Sequence, residues 1–360
     1  MKIDSLHFYV TDATNTSNWF INYLGFQIVD RVRDNNSLTI AISNKSILLV
    51  ISSPINHCGT VARYLASRAE GIIDITFQVS QLQPIVNNAK NRGIKILQFT
   101  QKEGQIEYAC VSGWDCLRHT IIESNLSRSC YLLPNGKLRT LPINTQANYK
   151  IVRDNFSFTT IDHVVLNVAR RQLEKAVTYY QSLFDFQIQQ TFQIQTKQSG
   201  LYSQALIDRT GKVQFNINEP TTTNSQIQEF IDLNGGAGIQ HLAFSSQNLI
   251  QDVSKMRSLG VPFLAIPTAY YLQLKQRLKQ DLIELSNREL QSIIEQEVLI
   301  DCQRDRPNSL LMQIFTRPVL KQPTFFLEFI ERRQQAIGFG KGNFMALFKA
   351  VEQNNMVYQT

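Results

Sequence analysis

Short apolar runs alternate with amphipathic stretches along the chain, and this alternation predicts strands separated by helices. Three of the runs, at residues 161–166, 238–244 and 325–330, are six or seven residues long. Runs of that length favour buried strands over helices, which need longer segments. Each run also carries one side chain suited to metal binding, namely His163, His241 or Glu328. These three residues therefore occupy similar positions in three predicted strands.

The pattern also repeats within the chain. Residues 3–10 and 161–168 both begin with Ile-Asp and read as strands, and each is followed by an amphipathic stretch with paired aromatic residues. Further along, residues 71–77 match 238–244, and the helical stretches that follow end at the turn residues Gly93 and Gly260. The repeat predicts an α+β fold in which a strand–helix–strands unit occurs twice in each half of the chain.

The predicted division of the chain follows from this repeat. We expect an N-terminal domain at residues 1–128, a linker at 129–158 containing a Pro-Asn-Gly turn signal, and a C-terminal catalytic domain at 159–360. After Glu328, a flexible glycine-rich stretch leads to a predicted helix with Asn343 as its N-cap and one apolar face.

Two histidines and one carboxylate brought together by a sheet form the ligand set of a non-haem Fe(II) oxygenase, which leaves coordination positions open for substrate and O2. Metal binding would also explain a carboxylate in an apolar strand, because an unpaired buried charge is costly. Glu331 is a rival carboxylate, but strand alternation places it on the opposite face from Glu328.

The first half lacks a matching metal site. Ser5 stands where His163 stands in the second half, and Asp74 stands where His241 stands. We therefore expect the first half to be structural and the second to be active. The three histidines of the first half follow no metal-ligand pattern and are expected to be ordinary surface or core residues: His7, His57 and His119.

Composition narrows the functional classes. Hydrophobic residues make up 43% of the 360 residues and charged residues 18%, which permits a sizeable core. Five scattered cysteines contain no C-x-x-C pair and signal neither a zinc site nor a disulfide framework. The net charge of +7 is spread along the chain and forms no basic stripe, so we expect no nucleic-acid partner. No apolar run approaches a membrane span and the N-terminus lacks a signal sequence, so the expected location is cytoplasmic.

Seven ordered stretches resemble the 4-hydroxyphenylpyruvate dioxygenase family of the vicinal-oxygen-chelate superfamily. They are residues 161–168, 217–220, 225–230, 235–241, 311–316, 325–328 and 338–344. The resemblance implies a glyoxalase-like fold of two domains, each built from paired βαβββ modules whose sheets curl into open barrels. It places the metal inside the C-terminal barrel, in agreement with the internal repeat.

The resemblance also implies the chemistry. One Fe(II) per chain would be held by His163, His241 and Glu328, with O2 as co-substrate. The reaction would be oxidative decarboxylation, ring hydroxylation and side-chain migration of 4-hydroxyphenylpyruvate to homogentisate and CO2. Because this aromatic substrate carries its own 2-oxo acid, no separate 2-oxoglutarate would be needed. Family members are homodimers or homotetramers, and their product serves tyrosine breakdown or quinone and tocopherol synthesis.

The site residues implied by the resemblance fall into two groups. A polar and aromatic set would surround the substrate: Ser203, Asn218, Gln226, Gln240, Gln313, Phe326, Phe339 and Phe344. A lid over the entrance would turn on a hinge formed by Gly338, Gly340, Gly342 and Asn343. Amides and a hydroxyl can orient a phenol and a carboxylate without adding charge.

One departure and three alternatives remain. The family commonly has proline at the position of Asn216, close to the substrate pocket. Hydroxymandelate synthase shares the triad and substrate but hydroxylates the benzylic carbon, and Phe344 favours ring hydroxylation over that reaction. Extradiol ring-cleaving dioxygenases share the ligand set but lack the glycine-rich lid. A non-catalytic protein that binds an aromatic ligand on this fold is the alternative of a different class.

Overall fold

The computed structural model describes most of the chain. The described residues are 1–44, 47–104, 106–124, 129–141, 156–195, 200–280, 283–302, 309–340 and 342–343. Within these ranges, two eight-stranded sheets and one two-stranded sheet are accompanied by eight α-helices.

The first half contains ten strands and three helices among its described residues. They are β1 (Lys2–Tyr9), α1 (Ala13–Leu24), β2 (Gln27–Arg33), β3 (Ser37–Asn44), β4 (Ile47–Pro54), α2 (Gly59–Leu65), β5 (Gly71–Val79), α3 (Gln83–Asn91), β6 (Ile96–Glu103), β7 (Ile106–Ser112), β8 (Arg118–Glu123), β9 (Cys130–Leu132) and β10 (Leu138–Thr140).

The second half repeats this order and adds two helices before its last three strands. Its elements are β11 (Phe158–Asn167), α4 (Leu173–Phe184), β12 (Gln187–Gln195), β13 (Gly200–Ile207), β14 (Gln214–Pro220), α5 (Gln226–Asn234), β15 (Gly238–Ser246), α6 (Leu249–Ser258), α7 (Thr268–Gln280), α8 (Asn287–Glu295), β16 (Leu299–Cys302), β17 (Leu310–Phe315) and β18 (Phe326–Arg333).

The two large sheets have the same topology. Their strand orders are β2-β3-β4-β1-β5-β8-β7-β6 and β12-β13-β14-β11-β15-β18-β17-β16, so each strand of one sheet has a counterpart in the other. In both sheets the first strand of the half pairs in parallel with the fourth and antiparallel with the fifth. This arrangement confirms the predicted fold of paired βαβββ modules in each half.

Local sequence signals set the ends of several helices. The Asp12 side chain accepts hydrogen bonds from the amides of Thr14 and Asn15 at the start of α1, and Gly25 ends that helix in the left-handed conformation at φ 69°. Gly260, predicted as a turn residue, follows α6 at φ 93°. The helices therefore begin and end where short capping residues interrupt the apolar pattern.

A continuous apolar core joins the two halves. Phe8 of β1 contacts Phe325 beside β18 with ring centroids 5.3 Å apart, and Phe26 contacts Phe244 of β15 at 6.1 Å. All four side chains are almost completely buried. Each large sheet thus packs one apolar face against helices and the other half, which leaves its opposite face to line an interior.

Part of the stretch predicted as a linker forms the hairpin β9–β10. Asp4 accepts a hydrogen bond from the Cys130 amide at 2.8 Å, and the Ser5 hydroxyl donates to the Cys130 carbonyl at 3.0 Å. Tyr131 and Leu133 pack against side chains of β3 and β4. The hairpin therefore belongs to the first half, where its apolar residues fill the interior of the sheet.

None of the helices in the described part of the chain combines the length and apolar character that crossing a bilayer requires.

Candidate metal centre

Strand register places the three predicted ligands on one face of the second sheet. His163 on β11 pairs with Ala243 on β15, and Ala243 pairs with Glu328 on β18. His241 lies two residues before Ala243, so its side chain leaves the same face. The small side chain of Ala243 lies between the two flanking strands, which leaves space for His163 and Glu328 to approach each other across the concave sheet.

The three side chains meet in the interior. One donor atom from each of His163, His241 and Glu328 lies within 4.8 Å of the others, and all three residues are buried. Both histidine Nε2 atoms point to the same carboxylate oxygen of Glu328, from His163 at 3.1 Å and from His241 at 3.4 Å. The structure therefore brings together the triad that the sequence predicted.

Asp162 orients the first histidine. Its carboxylate lies 2.8 Å from His163 Nδ1 and receives two further hydrogen bonds from Arg332. Although burial alone would raise it, Arg332 and His163 hold the pKa of Asp162 well below its usual range. The ionised carboxylate only accepts, so Nδ1 of His163 must carry the proton. In the neutral imidazole this leaves the lone pair of Nε2 directed at the cluster.

The charges of the cluster depend on one another. Burial opposes a charge on His163, but the Glu328 and Asp162 carboxylates outweigh it and raise the pKa of His163 to about 9. Burial lowers the pKa of His241 despite the nearby Glu328. Against the effect of burial, the two histidines lower the pKa of Glu328 to about 2. The cluster thus holds an ionised carboxylate beside two imidazole nitrogens, a set of donors that a divalent cation can bind in place of the histidine proton.

The donor set fits a divalent transition metal. Two imidazoles and one carboxylate suit Fe(II), and the same set also occurs at catalytic zinc sites. Asp162 fixes the orientation of the His163 ring, as carboxylates commonly do for metal-bound histidines. Three protein ligands leave coordination positions for other molecules, so the chemistry of the site depends on the metal that it holds and on the surrounding pocket.

The equivalent place in the first half has different chemistry. Ser5 pairs with Thr76, and Thr76 pairs with Thr120, in the same register as the second-half row. Asp74 receives hydrogen bonds from the Thr120 amide at 2.9 Å and from its hydroxyl at 2.8 Å. The buried carboxylate of Asp74 is therefore satisfied by hydrogen bonds. Among the described residues, the one group with the donors and spacing of a metal site is the cluster in the second half.

Polar residues predicted to contact substrate line one wall of the barrel. Ser203 on β13 pairs with Asn218 on β14, and both are buried. The Ser203 hydroxyl, Asn218 Oδ1 and Asn216 Oδ1 find no hydrogen-bond partner within the described structure. Buried polar atoms without partners are rare in proteins and indicate a ligand or ordered water. Asn216, the departure from the family pattern, therefore adds a polar group to this wall.

A cleft next to the cluster collects three other predicted residues. Gln226 at the start of α5, Gln240 on β15 and Phe326 on β18 share its lining with Leu264 and Thr316. The Phe326 ring stacks on the His241 ring with centroids 4.7 Å apart. The Phe326 ring thus lies between the cleft and the His241 side chain of the cluster.

The glycine-rich segment closes another side of the cluster. The Phe339 ring meets the His163 ring edge-on with centroids 5.0 Å apart. Gln313 donates hydrogen bonds to Glu328 Oε1 at 2.8 Å and to the Phe339 carbonyl at 3.3 Å. The Asn343 side-chain amide lies 2.9 Å from Gln313 Oε1. Gln313 therefore connects the carboxylate of the cluster to this segment.

Two of the hinge glycines have the left-handed backbone that favours glycine, Gly338 at φ 81° and Gly340 at φ 70°. A Cβ on Gly340 would lie 2.0 Å from Gln313 Oε1, and one on Gly342 would lie 2.4 Å from Asp301 Oδ1. The segment is thus packed closely against the barrel. Phe344 and the predicted lid helix after it lie outside the described residues.

Sequence reasoning missed two residues at the site. Phe315 pairs with Glu328 across the sheet and places its ring 6.4 Å from the His241 ring centroid. Arg332 binds Asp162 from four residues beyond Glu328. Strand alternation could have found Arg332, because residues 328 and 332 leave the same face. Glu331, the rival carboxylate, instead accepts a hydrogen bond from the Leu249 amide at 2.7 Å, at the start of α6.

Comparisons with known proteins agree with this geometry. Residues 160–279 match the Glyoxalase/Bleomycin resistance protein/Dioxygenase superfamily. The chain is 36% identical to an uncharacterized protein of Synechocystis, over 98% of this chain and 97% of that one. It is 30% identical to the 4-hydroxyphenylpyruvate dioxygenase of Dictyostelium discoideum, over 97% of each chain.

Among solved structures, a triple mutant of 4-hydroxymandelate synthase from Streptomyces coelicolor is similar with a TM-score of 0.83 and 25% identity, over 98% of each chain. A fusion of a xylose isomerase-like TIM barrel with a 4-hydroxyphenylpyruvate dioxygenase shares the fold with a TM-score of 0.76 at 19% identity, over 98% of this chain and 52% of that one. These similarities extend over both halves of the chain.

Proposed function

The chain belongs to the 4-hydroxyphenylpyruvate dioxygenase family, and on that premise we propose that it converts 4-hydroxyphenylpyruvate and O2 to homogentisate and CO2. The protein is then a non-haem iron oxidoreductase acting on an aromatic 2-oxo acid. The observation that carries the proposal is the buried cluster of His163, His241 and Glu328 inside the second sheet. Full-length similarity to enzymes of this name supports the choice of reaction, which a fold alone would not.

His163, His241 and Glu328 would hold one Fe(II) per chain. Bound iron would supply O2 activation and a Lewis-acid site for the oxygens of the 2-oxo acid. Because the substrate itself carries that 2-oxo acid, no separate 2-oxoglutarate would be needed. Both atoms of O2 end in homogentisate, one in its new carboxylate and one in its ring hydroxyl, while the original carboxylate leaves as CO2. Asp162 keeps the His163 ring in the orientation that presents Nε2 to the site.

The chain's own residues position the substrate. Phe326 and Phe339 pack against different histidines of the cluster, and their rings can direct the aromatic ring of the substrate. Asn216 lies in the same row of the sheet as Val165 and His241, two residues along the strands from the row that contains His163. Asn216 Oδ1 is buried without a partner, so it can accept a hydrogen bond from the phenol hydroxyl of the substrate.

The surrounding wall limits access of water. Gln226 and Gln240 lie at the cleft, where their amides can meet the substrate as it enters. The hinge of a closing segment would be formed by Gly338, Gly340, Gly342 and Asn343. Gln313 would connect this segment to Glu328 by its hydrogen bonds. Closure that excludes water strengthens the electrostatic interactions of the site and protects its reactive oxygen chemistry.

Benzylic hydroxylation of the same substrate is the second candidate, and the similarity to 4-hydroxymandelate synthase favours it specifically. The two reactions consume the same substrates and differ in the carbon that receives the second oxygen atom. The polar wall formed by Ser203, Asn216 and Asn218 bears on the outcome, because it can fix the phenol end of the substrate and so the tilt of the ring.

A product analysis tests the proposal. Purified protein is incubated anaerobically with Fe(II) and 4-hydroxyphenylpyruvate, O2 is admitted, and the product is identified by chromatography and mass spectrometry. Homogentisate with an equal amount of CO2 is expected. Hydroxymandelate as the product would contradict ring hydroxylation and support benzylic hydroxylation, the second candidate. Iron binding with no O2 consumption would support a non-catalytic binding protein.

A further inference from the structure

Two of the three cluster residues are connected to the same backbone segment, residues 336–340, through one or two intervening side chains. His163 is connected through Asp162 and Arg332, and Glu328 is connected through Gln313. The segment therefore contacts the cluster by two separate routes. The Arg332 route joins residues far apart in the sequence, since Asp162 and Arg332 are separated by 170 positions.

Arg332 satisfies four acceptors at once. Its Nε and Nη2 donate to the two carboxylate oxygens of Asp162 at 2.8 and 2.7 Å. Its Nη1 donates to the carbonyls of Gly338 at 2.7 Å and Ala336 at 3.2 Å. The Arg332 side chain is 16% exposed and that of Asp162 is 7% exposed, so water contributes little to either group. One guanidinium group thus binds both Asp162, which orients His163, and the start of the glycine-rich segment.

This geometry requires an arginine. The planar guanidinium presents five donors in a fixed fork, whereas a lysine ammonium is a compact charge that cannot grip a carboxylate with two parallel bonds and reach two carbonyls beyond it. If the segment moved away, Arg332 would lose two hydrogen-bond acceptors. The guanidinium group that binds Asp162 would then be less firmly held. The orientation of the His163 ring would then be less restricted, because Asp162 holds its Nδ1.

We propose that Arg332 is a positioning residue that couples the orientation of His163 to the conformation of the Ala336–Gly338 turn. The proposal rests on the metal site of the proposed function and deepens it. Metal binding that fixes the His163 ring also favours the docked turn, and the docked turn favours metal binding. Such coupling is reciprocal by thermodynamic necessity. The hydrogen bonds of Arg332 in the described structure go to Asp162, Ala336 and Gly338, so its effect on the orientation of the His163 ring passes through Asp162.

The test uses the full-length protein with Co(II) as a spectroscopic probe in place of Fe(II), without substrate. Arg332→Lys and Arg332→Gln are compared with Arg333→Lys. The control changes the neighbouring arginine, whose partners are Glu331 and Glu289 on the other face of β18. The Co(II) dissociation constant, the visible absorption of the bound ion and the hydrogen–deuterium exchange of residues 336–340 are measured with and without metal.

The proposal predicts two changes in the Arg332 variants. Their Co(II) affinity falls by about 10- to 100-fold with an altered visible spectrum, as for other supporting residues of metal-bound histidines. Metal binding protects residues 336–340 from exchange in the wild-type protein and in Arg333→Lys, but no longer does so in the Arg332 variants. Thermal unfolding of the metal-free proteins verifies that the variants are folded. If Arg332→Gln does not fold, Asp162→Asn interrupts the same connection.

An Arg332 variant with the wild-type Co(II) affinity, spectrum and metal-dependent protection would overturn the proposal. Weaker Co(II) binding with an unchanged protection response would also overturn it, because Arg332 would then support only the fold around Asp162. The proposed reaction fails separately. A wild-type protein that binds Co(II) but does not convert 4-hydroxyphenylpyruvate with Fe(II) contradicts the reaction, and the same comparisons still decide the coupling.

Discussion

His119 of the first half and Tyr180 of the second lie within hydrogen-bonding distance, with His119 Nε2 3.1 Å from the Tyr180 hydroxyl. Both residues are completely buried at the junction of the halves. Burial lowers the pKa of His119 from 6.5 to about 3 and raises the pKa of Tyr180 well above its usual value. Both side chains are therefore neutral, and the junction depends on His119 remaining uncharged.

This contact predicts acid sensitivity. Because the folded-state pKa of His119 is depressed, its stabilising contribution is complete above pH 6.5 and is lost as the pH falls through 6.5 toward 3. At about pH 5 the loss amounts to about 2 kcal/mol of the free energy of unfolding. His119→Gln removes this pH-dependent contribution to the free energy of unfolding. Urea unfolding at about pH 7.5 and about pH 5 should show the smaller pH effect in the variant, and equal pH effects in both proteins would contradict the assignment.

Glu328→Gln should abolish metal binding at stoichiometric Fe(II), because it removes the ionised ligand between His163 and His241. We expect metal affinity to fall by more than about 100-fold, beyond the effect of a supporting residue, and product formation to be lost. Glu331→Gln is the matched control. It changes a carboxylate three residues away that binds the Leu249 amide, and it should retain metal and activity. Equal losses in both variants would contradict the assignment of Glu328.

Gly340→Ala should disturb the site as well as the backbone. The left-handed conformation costs a residue with a Cβ about 1–2 kcal/mol, and the added carbon would lie 2.0 Å from Gln313 Oε1. Displacement of Gln313 should raise the KM for the 2-oxo acid. Gly93→Ala has nearly the same φ with nothing within 4 Å of the new carbon, so it measures the backbone cost alone. Unchanged KM in Gly340→Ala would show that Gln313 does not depend on this packing.

The first half should influence substrate binding through Arg68. Its guanidinium donates to the Ala237 carbonyl at 3.2 Å and to Asp115 at 2.8 Å, and Asp115 accepts from the Ala237 amide at 3.0 Å. Ala237 directly precedes β15, which carries Gln240 and His241.

Arg68→Ala should therefore raise the KM and lower the free energy of unfolding by about 1 kcal/mol, with little change in metal affinity. Lys102→Ala, which breaks an exposed ion pair of the same half, should change neither the KM nor stability. The kinetic constants and the Co(II) affinity of the two variants provide the test. A loss of metal affinity in Arg68→Ala would place its effect at the cluster itself.

Much of the architecture was predictable because local patterns determine it. Apolar runs with ionisable residues at matching positions indicated β11, β15 and β18, and the internal repeat predicted the shared topology of the sheets. Strand alternation correctly separated Glu328 from Glu331, because successive side chains of a strand point to opposite faces. Ser5 and Asp74 occupy the positions of the two histidines in the first half, and Asp74 there accepts hydrogen bonds from Thr120.

The remaining features depend on contacts that no local pattern encodes. Arg332 and Asp162 meet across 170 residues, so neither sequence neighbourhood indicates the pair. The β9–β10 hairpin lies in a stretch with few periodic apolar positions, and its strands of three residues are stabilised by packing against β3 and β4. The unpartnered side-chain oxygen of Asn216 becomes informative only when its burial is known.

Iron titration of product formation tests the central claim most directly, namely that the cluster in the second half is the metal centre of a homogentisate-forming enzyme. Metal-depleted protein is supplied with increasing Fe(II), 4-hydroxyphenylpyruvate and O2, and the rate of homogentisate formation is measured at each addition. The account predicts a rate that rises to a plateau at one Fe(II) per chain. Homogentisate formation that does not depend on iron, or a plateau at two Fe(II) per chain, would contradict it.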